Sequence, residues 1–125
     1  MRKDEIVATP EKRRFETPDD SRSFPDGKAD IVSLGGHKLM LLTFQPGFRW
    51  SKSIGAQSNT DSCEVHHVWY VVSGRMHVRM NDGSEQEYSA GDLADVPAGH
   101  DGWTVGNEST LLLDVEGGAG TFGKF

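Results

Sequence analysis

Residues 63–99 read CEVHHVWYVVSGRMHVRMNDGSEQEYSAGDLADVPAG, and their periodicity decides the fold. VWYVVS is a short apolar run closed by Gly74. RMHVRM then alternates, with Met76, Val78 and Met80 on one face and Arg75, His77 and Arg79 on the other, the two-residue period of a strand. NDGS (81–84) is a hairpin turn, EQEYS a return strand and AGD (90–92) a second turn before LADVP. No part of the stretch shows a helical period.

The same rhythm extends outward. Upstream, DIVSL and HKLMLLTF flank Gly35-Gly36, a two-residue hairpin connection. QPG (45–47) is a break, FRWSKSI follows, and GAQSNTDS is a polar loop; downstream, GWTV and STLLLDVE complete the series. Nine or so short strands at close spacing predict an all-β chain, which avoids open edges by closing into a barrel or folding as a double sheet. Fifteen glycines in 125 residues suit the many turns this needs. The length allows one domain with a core and not two. Residues 8–28 are polar and hold three of the five prolines, so residues 1–29 are expected to form an extended arm anchored by Phe15 and Phe24, and residues 30–125 the barrel.

A net charge of −6 argues against a nucleic-acid partner, which requires a concentrated basic face. Cys63 is the only cysteine, which rules out an internal disulfide. No apolar run approaches a membrane span, and the first residues lack a leader's apolar segment. A soluble, reducing, cytoplasmic setting is the expectation.

Gly91, Asp92, Pro97 and Gly99 match the spacing G-D-x4-P-x-G, and Trp69-Tyr70-Val71-Val72-Ser73-Gly74 ends a first motif sixteen residues earlier. This pair, in this order and at this separation, resembles the paired motifs of the cupin superfamily. PGFRWS, TDSCEVHH, SGRMHVRMNDG and PAGHDGW together resemble a subgroup of bacterial single-domain cupins with no established reaction. The resemblance implies a jelly-roll barrel, and it implies where a metal would sit. Such cupins hold metal with two histidines one residue apart, a glutamate about four residues on, and a histidine from the second motif. Counted back from Gly74, the glutamate position falls on His67 and the histidine positions on Cys63 and Asp61. The last falls on Gly102, or on Asp101 beside His100 if the loop is one residue shorter. None of the four ligands is kept in type, yet Asp61, Cys63, His67, His100 and Asp101 can all bind metal. Thiolate and imidazole suit Zn best, and Fe, Ni or Mn are the other transition metals such a set admits.

Alternation puts His67 on one face with Trp69 and Val71 and His66 on the other, and the resemblance implies that His67 points into the barrel and His66 outward. In a straight strand Cys63 and His67 would lie about 13 Å apart, so one ion holds both only if residues 64–66 bend. Trp50, Trp69 and Trp103 come from three segments next to this site and suggest an aromatic pocket for a small molecule, with Arg49 available to a ligand carboxylate. Cys63 has imidazoles near it in sequence but no evident third group to make it a nucleophile.

Three functions stay open. One is a metal-dependent enzyme of the oxygenase or isomerase type. Another is a metal-free barrel that binds or senses a small ligand, and the third is a partner-binding module. A homodimer is the expected assembly, with the arm as a candidate for exchange across it.

Overall fold

The computed structural model describes residues 9–58 and 60–116. Its strands are β1 (Asp20–Phe24), β2 (Gly27–Leu34), β3 (His37–Phe44), β4 (His67–Ser73), β5 (Arg75–Met80), β6 (Glu85–Ser89), β7 (Leu93–Val96), β8 (His100–Thr104) and β9 (Thr110–Glu116). They form a six-stranded sheet in the order β1-β2-β3-β9-β4-β7 and a three-stranded sheet in the order β6-β5-β8. Every pairing is antiparallel. This is the cupin-type β fold that the alternation and the paired glycine motifs lead one to expect.

Side chains alternate along β3, β4, β5, β7 and β8, and one parity fills the interior, whereas Ala29, Asp30, Ile31 and Val32 of β2 are all buried. Met40, Leu42 and Phe44 of β3 meet Trp69 and Val71 of β4, Leu112 of β9 and Met76 and Val78 of β5 in a single core. Phe24 closes one end of it, edge-on to Phe44 and Phe48. Phe15 is half-buried. The sheet thus takes in residues 20–29 of the segment read as an arm. Residues 9–19 lie against their own sheet. Arg13 donates to the Ser33 carbonyl (2.8 Å), Asp19 accepts from the Ser33 amide (2.7 Å), and Glu11 accepts from the Gly35 amide (3.1 Å).

FRWSKSI departs from its strand-like pattern. Only Arg49 bridges to β8, at Trp103, and Trp50–Ser53 make one turn of helix, α1. The Asp101 carboxylate accepts from the Ser51 amide at 3.0 Å, satisfying a backbone donor that a helix start leaves without a partner. Gly55 then lets the chain pass the buried Trp50 ring, which a Cβ at that position would meet at 2.6 Å.

Gly74 turns β4 into β5 at φ +79, and a Cβ there would lie 2.5 Å from the Ser109 carbonyl oxygen and 2.7 Å from Thr110 Cα. Both the backbone conformation and the space therefore demand glycine. Gly74→Ala is expected to destabilise the protein by about 3 kcal/mol, lowering the calorimetric melting temperature by roughly 10 °C. Gly83 has φ +91 with open space around it, so Gly83→Ala should cost only about 1 kcal/mol of backbone strain. Equal losses in the two variants would show that the close approach at Gly74 carries no energy.

Candidate metal centre

Cys63 reaches the site through its backbone. Its amide donates to the His100 carbonyl (2.7 Å) and its carbonyl accepts from the Gly99 amide (2.7 Å), a single antiparallel bridge that clamps residue 63 to the start of β8. Residues 64–66 are not strand, and β4 begins only at His67. The chain bends there without glycine or proline, and Cys63 Sγ lies 3.5 Å from His67 Nε2 instead of a strand's length away. His100, first in β8, supplies the third group. One ligand atom from each of Cys63, His67 and His100 lies within 4.8 Å of the others, and all three residues are buried. These three could hold a metal ion.

The surrounding chain sets the tautomer of both rings. His100 Nδ1 lies 2.8 Å from the Pro97 carbonyl oxygen, which can only accept, so Nδ1 carries the hydrogen and Nε2 is left with its lone pair. His67 Nδ1 lies 2.7 Å from Asp114 Oδ2, and the same oxygen accepts from Trp69 Nε1 at 3.2 Å. Indole is a donor only, so Asp114 acts as a carboxylate acceptor and His67 Nδ1 donates to it. Trp69 and Asp114 are cross-strand partners, and a register shift between Val68 and Trp69 turns β4 so that His67 and Trp69 reach one carboxylate. Two imidazoles with their Nδ1 positions already committed, beside the Cys63 sulfur, make a group that could hold a metal ion with its outer hydrogen bonds in place.

Burial alone would raise the Cys63 thiol, but the hydrogen bonds and charges of His100 and His67 bring it down to about 6. Burial would lower His67, but Asp114 first and Cys63 second hold it up at about 9. Without metal, the centre is a thiolate beside an imidazolium near neutral pH. To hold a divalent ion, His67 would have to give up its Nε2 proton.

The EutQ-like cupin domain family matches residues 41–111, a span covering the cluster, strands β4 to β8 and both glycine motifs. The chain belongs to that family. No curated protein has a matching sequence. Among solved structures, the cupin resembles a DUF1255 protein of unknown function from Acidithiobacillus ferrooxidans. That match has 23% identity and a TM-score of 0.59, and covers 79% of this chain and 88% of the other. It also resembles a Cupin 2 conserved barrel domain protein from Salinispora arenicola, with 14% identity, a TM-score of 0.58 and coverage of 86% and 87%. A third is an oxalate decarboxylase from Lactobacillus farciminis, solved as a formate complex, with 21% identity and a TM-score of 0.54. It is matched over 76% of this cupin but only 30% of its own length. These likenesses establish the fold.

The cupin brings together three of the five residues expected to bind metal. Asp61 is exposed and lies outside the cluster. Asp101 is turned away as well, with its carboxylate held by Arg49 Nε (3.1 Å) and the Ser51 amide. His66 points outward, as alternation requires, and pairs with Asp95. The three tryptophans separate. Trp69 packs against both imidazoles, its ring 5.2 Å from His67 and 6.3 Å from His100. Trp50 is core, against Gly55. Trp103 lies on the outer face of β8, stacked on His77 at 4.7 Å with the Arg49 guanidinium 4.3 Å above it. Trp103 and Arg49 therefore lie apart from the buried cluster. The reason is parity: His100, Gly102 and Thr104 are the buried residues of β8, so residue 103 must face out. A cavity of about 120 Å³ opens between β5, β6 and β7, lined in part by Val78, Tyr88 and Val96, with no tryptophan in its wall. Asp114 was missed by sequence reasoning, although its position gives a signal: in TLLLDVE it shares the inward parity of Thr110 and Leu112. An acid at such a place in an apolar strand needs a buried partner.

Among the described residues, no helix is long and apolar enough to cross a membrane.

Proposed function

We propose that this cupin binds one divalent transition-metal ion through Cys63 Sγ, His67 Nε2 and His100 Nε2, and that a small molecule completes the coordination. One observation carries this reading: two buried imidazoles with Nδ1 held by acceptors lie against the buried Cys63 sulfur, one ligand atom of each residue within 4.8 Å of the others. One thiolate and two imidazoles favour zinc, and three protein ligands leave a position open, the arrangement of catalytic rather than structural zinc sites. Iron, nickel and manganese suit the set less well.

A bound ion would supply Lewis-acid polarisation of an oxygen on a small ligand. The chain does the rest. Asp114 keeps the His67 ring oriented and electron-rich, Pro97 does so for His100, and Trp69 shields both rings from water. The enzymatic form of this reading is a metal-dependent isomerase, or an oxygenase with iron in place of zinc. A reducing compartment such as the cytoplasm keeps Cys63 a thiol.

Cobalt tests the sulfur ligand directly. Protein loaded with Co(II) should show a thiolate-to-cobalt charge-transfer band in the near ultraviolet, absent from Cys63→Ser. A spectrum identical in the two proteins would rule out Cys63 as a ligand.

One geometric fact favours a second reading. Cys63, His67 and Asp114 form a thiol–imidazole–carboxylate series, the order in which an activated nucleophile is built, so the third group missing from the sequence does exist. In that reading His100 serves only to help hold the Cys63 thiol down. Alkylation of Cys63 by iodoacetamide at the same rate with and without zinc would favour the nucleophile.

A further inference from the structure

Asn81 opens the NDGS turn between β5 and β6, 14 positions or more from any residue of the Cys63, His67 and His100 cluster, yet it holds both loops that carry the cluster. Its backbone amide donates to the Gly99 carbonyl at 2.9 Å, one residue before His100. Its side-chain Nδ2 donates to Ser62 Oγ at 3.2 Å, one residue before Cys63. Ser62 is 5% exposed, and its hydroxyl donates in turn to Glu64 Oε1 at 3.0 Å. A carboxylate can only accept, so the Ser62 hydrogen is committed to Glu64 and its oxygen is left to accept from the carboxamide. That order of donors fixes which way round the Asn81 amide lies. The amide also packs on Gly99, where a Cβ would sit 3.0 Å from Nδ2.

We propose that the Asn81 carboxamide is a positioning residue for the metal centre, acting through Ser62 to direct the Cys63 sulfur toward His67 and His100. The proposal rests on the metal reading above. Backbone bonds tie residue 63 to β8 only, through His100 and Gly99. His67 belongs to the other sheet and follows a bend, at residues 64–66, that contains no glycine or proline. The bridge to β8 therefore leaves the loop free to turn about it, and that turn decides how far Sγ lies from His67 Nε2, 3.5 Å as found. Ser62 and Glu64 flank Cys63, and in extended chain their side chains point away from its own. Joining the two on that side, and holding them there from Asn81, sends the Cys63 side chain the opposite way, into the cluster. The bonds that orient a ligand from behind in this manner are part of a metal site's affinity.

The backbone at Asn81 lies outside the left-handed region, so Asn81→Ala removes the carboxamide without strain and keeps the backbone bond to Gly99. This variant should bind zinc roughly 10- to 100-fold more weakly than the wild type, and its Co(II) form should show a weakened, shifted thiolate charge-transfer band. Ser62→Ala should behave alike, and the double variant should fall no further than the weaker-binding single one, because both break one chain. Gly83→Ala strains the same turn without touching Ser62 and should keep the wild-type affinity and band. Unchanged affinity in Asn81→Ala, an equal loss in Gly83→Ala, or additive losses in Ser62→Ala and Asn81→Ala overturn the proposal. Amide hydrogen exchange of the metal-free proteins separates it from the metal reading. The Cys63 and Gly99 amides should exchange roughly tenfold faster in Asn81→Ala than in the wild type or Gly83→Ala. That result in a chain that takes up no metal supports the positioning of Cys63 and sinks only the metal reading. Unchanged exchange in Asn81→Ala overturns the positioning whether or not metal binds. If Asn81→Ala loses its circular dichroism, Ser62→Ala is read by the same outcomes.

Discussion

His67→Ala is expected to lower zinc affinity by on the order of a thousandfold or more, since it removes one of three protein ligands from a site whose binding energy is large. The ring is 7% exposed and opens β4, and among the described residues only Cys63 and His100 share its cluster, Asp61 and Asp101 lying outside it. Removing the ring also takes one donor from the buried Asp114, so the variant loses about 2 kcal/mol of stability as well. Competition titration against a chromophoric chelator gives the affinity, and circular dichroism shows that the variant is folded. Asp61→Ala is the control and should bind as the wild type does. If Asp61→Ala lost zinc and His67→Ala kept it, the three buried residues would not be the ligands.

Asp114→Asn should weaken zinc binding by roughly 10- to 100-fold when measured above pH 9. The amide can still accept from His67 and Trp69, but it lacks the charge that makes the imidazole a strong ligand. The pH dependence separates this role from mere packing. In the wild type His67 holds its proton up to about pH 9 and Cys63 is a thiolate above about 6. Zinc then displaces one proton between these values, and affinity falls about tenfold for each pH unit lowered. Below 6 the thiol proton must leave too, and the fall steepens. Asp114 is the largest influence holding the His67 proton in place, so in Asp114→Asn the tenfold-per-unit region should end at a lower pH. At pH 7 the loss of affinity should therefore be smaller than above pH 9, because proton competition has weakened. A loss of the same size at every pH would mean that Asp114 only packs the ring.

How much of this was written in the sequence depends on the distance over which each feature is determined. RMHVRM and its turns reveal a strand because alternation is local, and Gly74 and Gly91 mark turns because a positive φ is local. The bend at residues 64–66 was invisible. It follows from the clamp between Cys63 and His100, a pairing across 37 positions that nothing nearby encodes. His100 and Asp101 could not be told apart by counting from Gly99, since one residue of loop length exchanges them. Pairing with β5 at Met80 settles it by turning His100 inward. Once that parity is known, Trp103 must lie outside, and the aromatic pocket loses one wall. Asp114 is the instructive omission. Its inward parity was readable, but its role exists only because a shifted register on β4 brings His67 and Trp69 to the same oxygen.

The central claim is that Cys63, His67 and His100 hold a metal ion. Plasma mass spectrometry of tag-free protein purified without chelator tests it most directly. The account predicts close to one equivalent of a transition metal per chain, zinc first among them. Protein with none, even after loading with zinc, iron, nickel or manganese, would contradict it and leave the thiol or a metal-free ligand barrel.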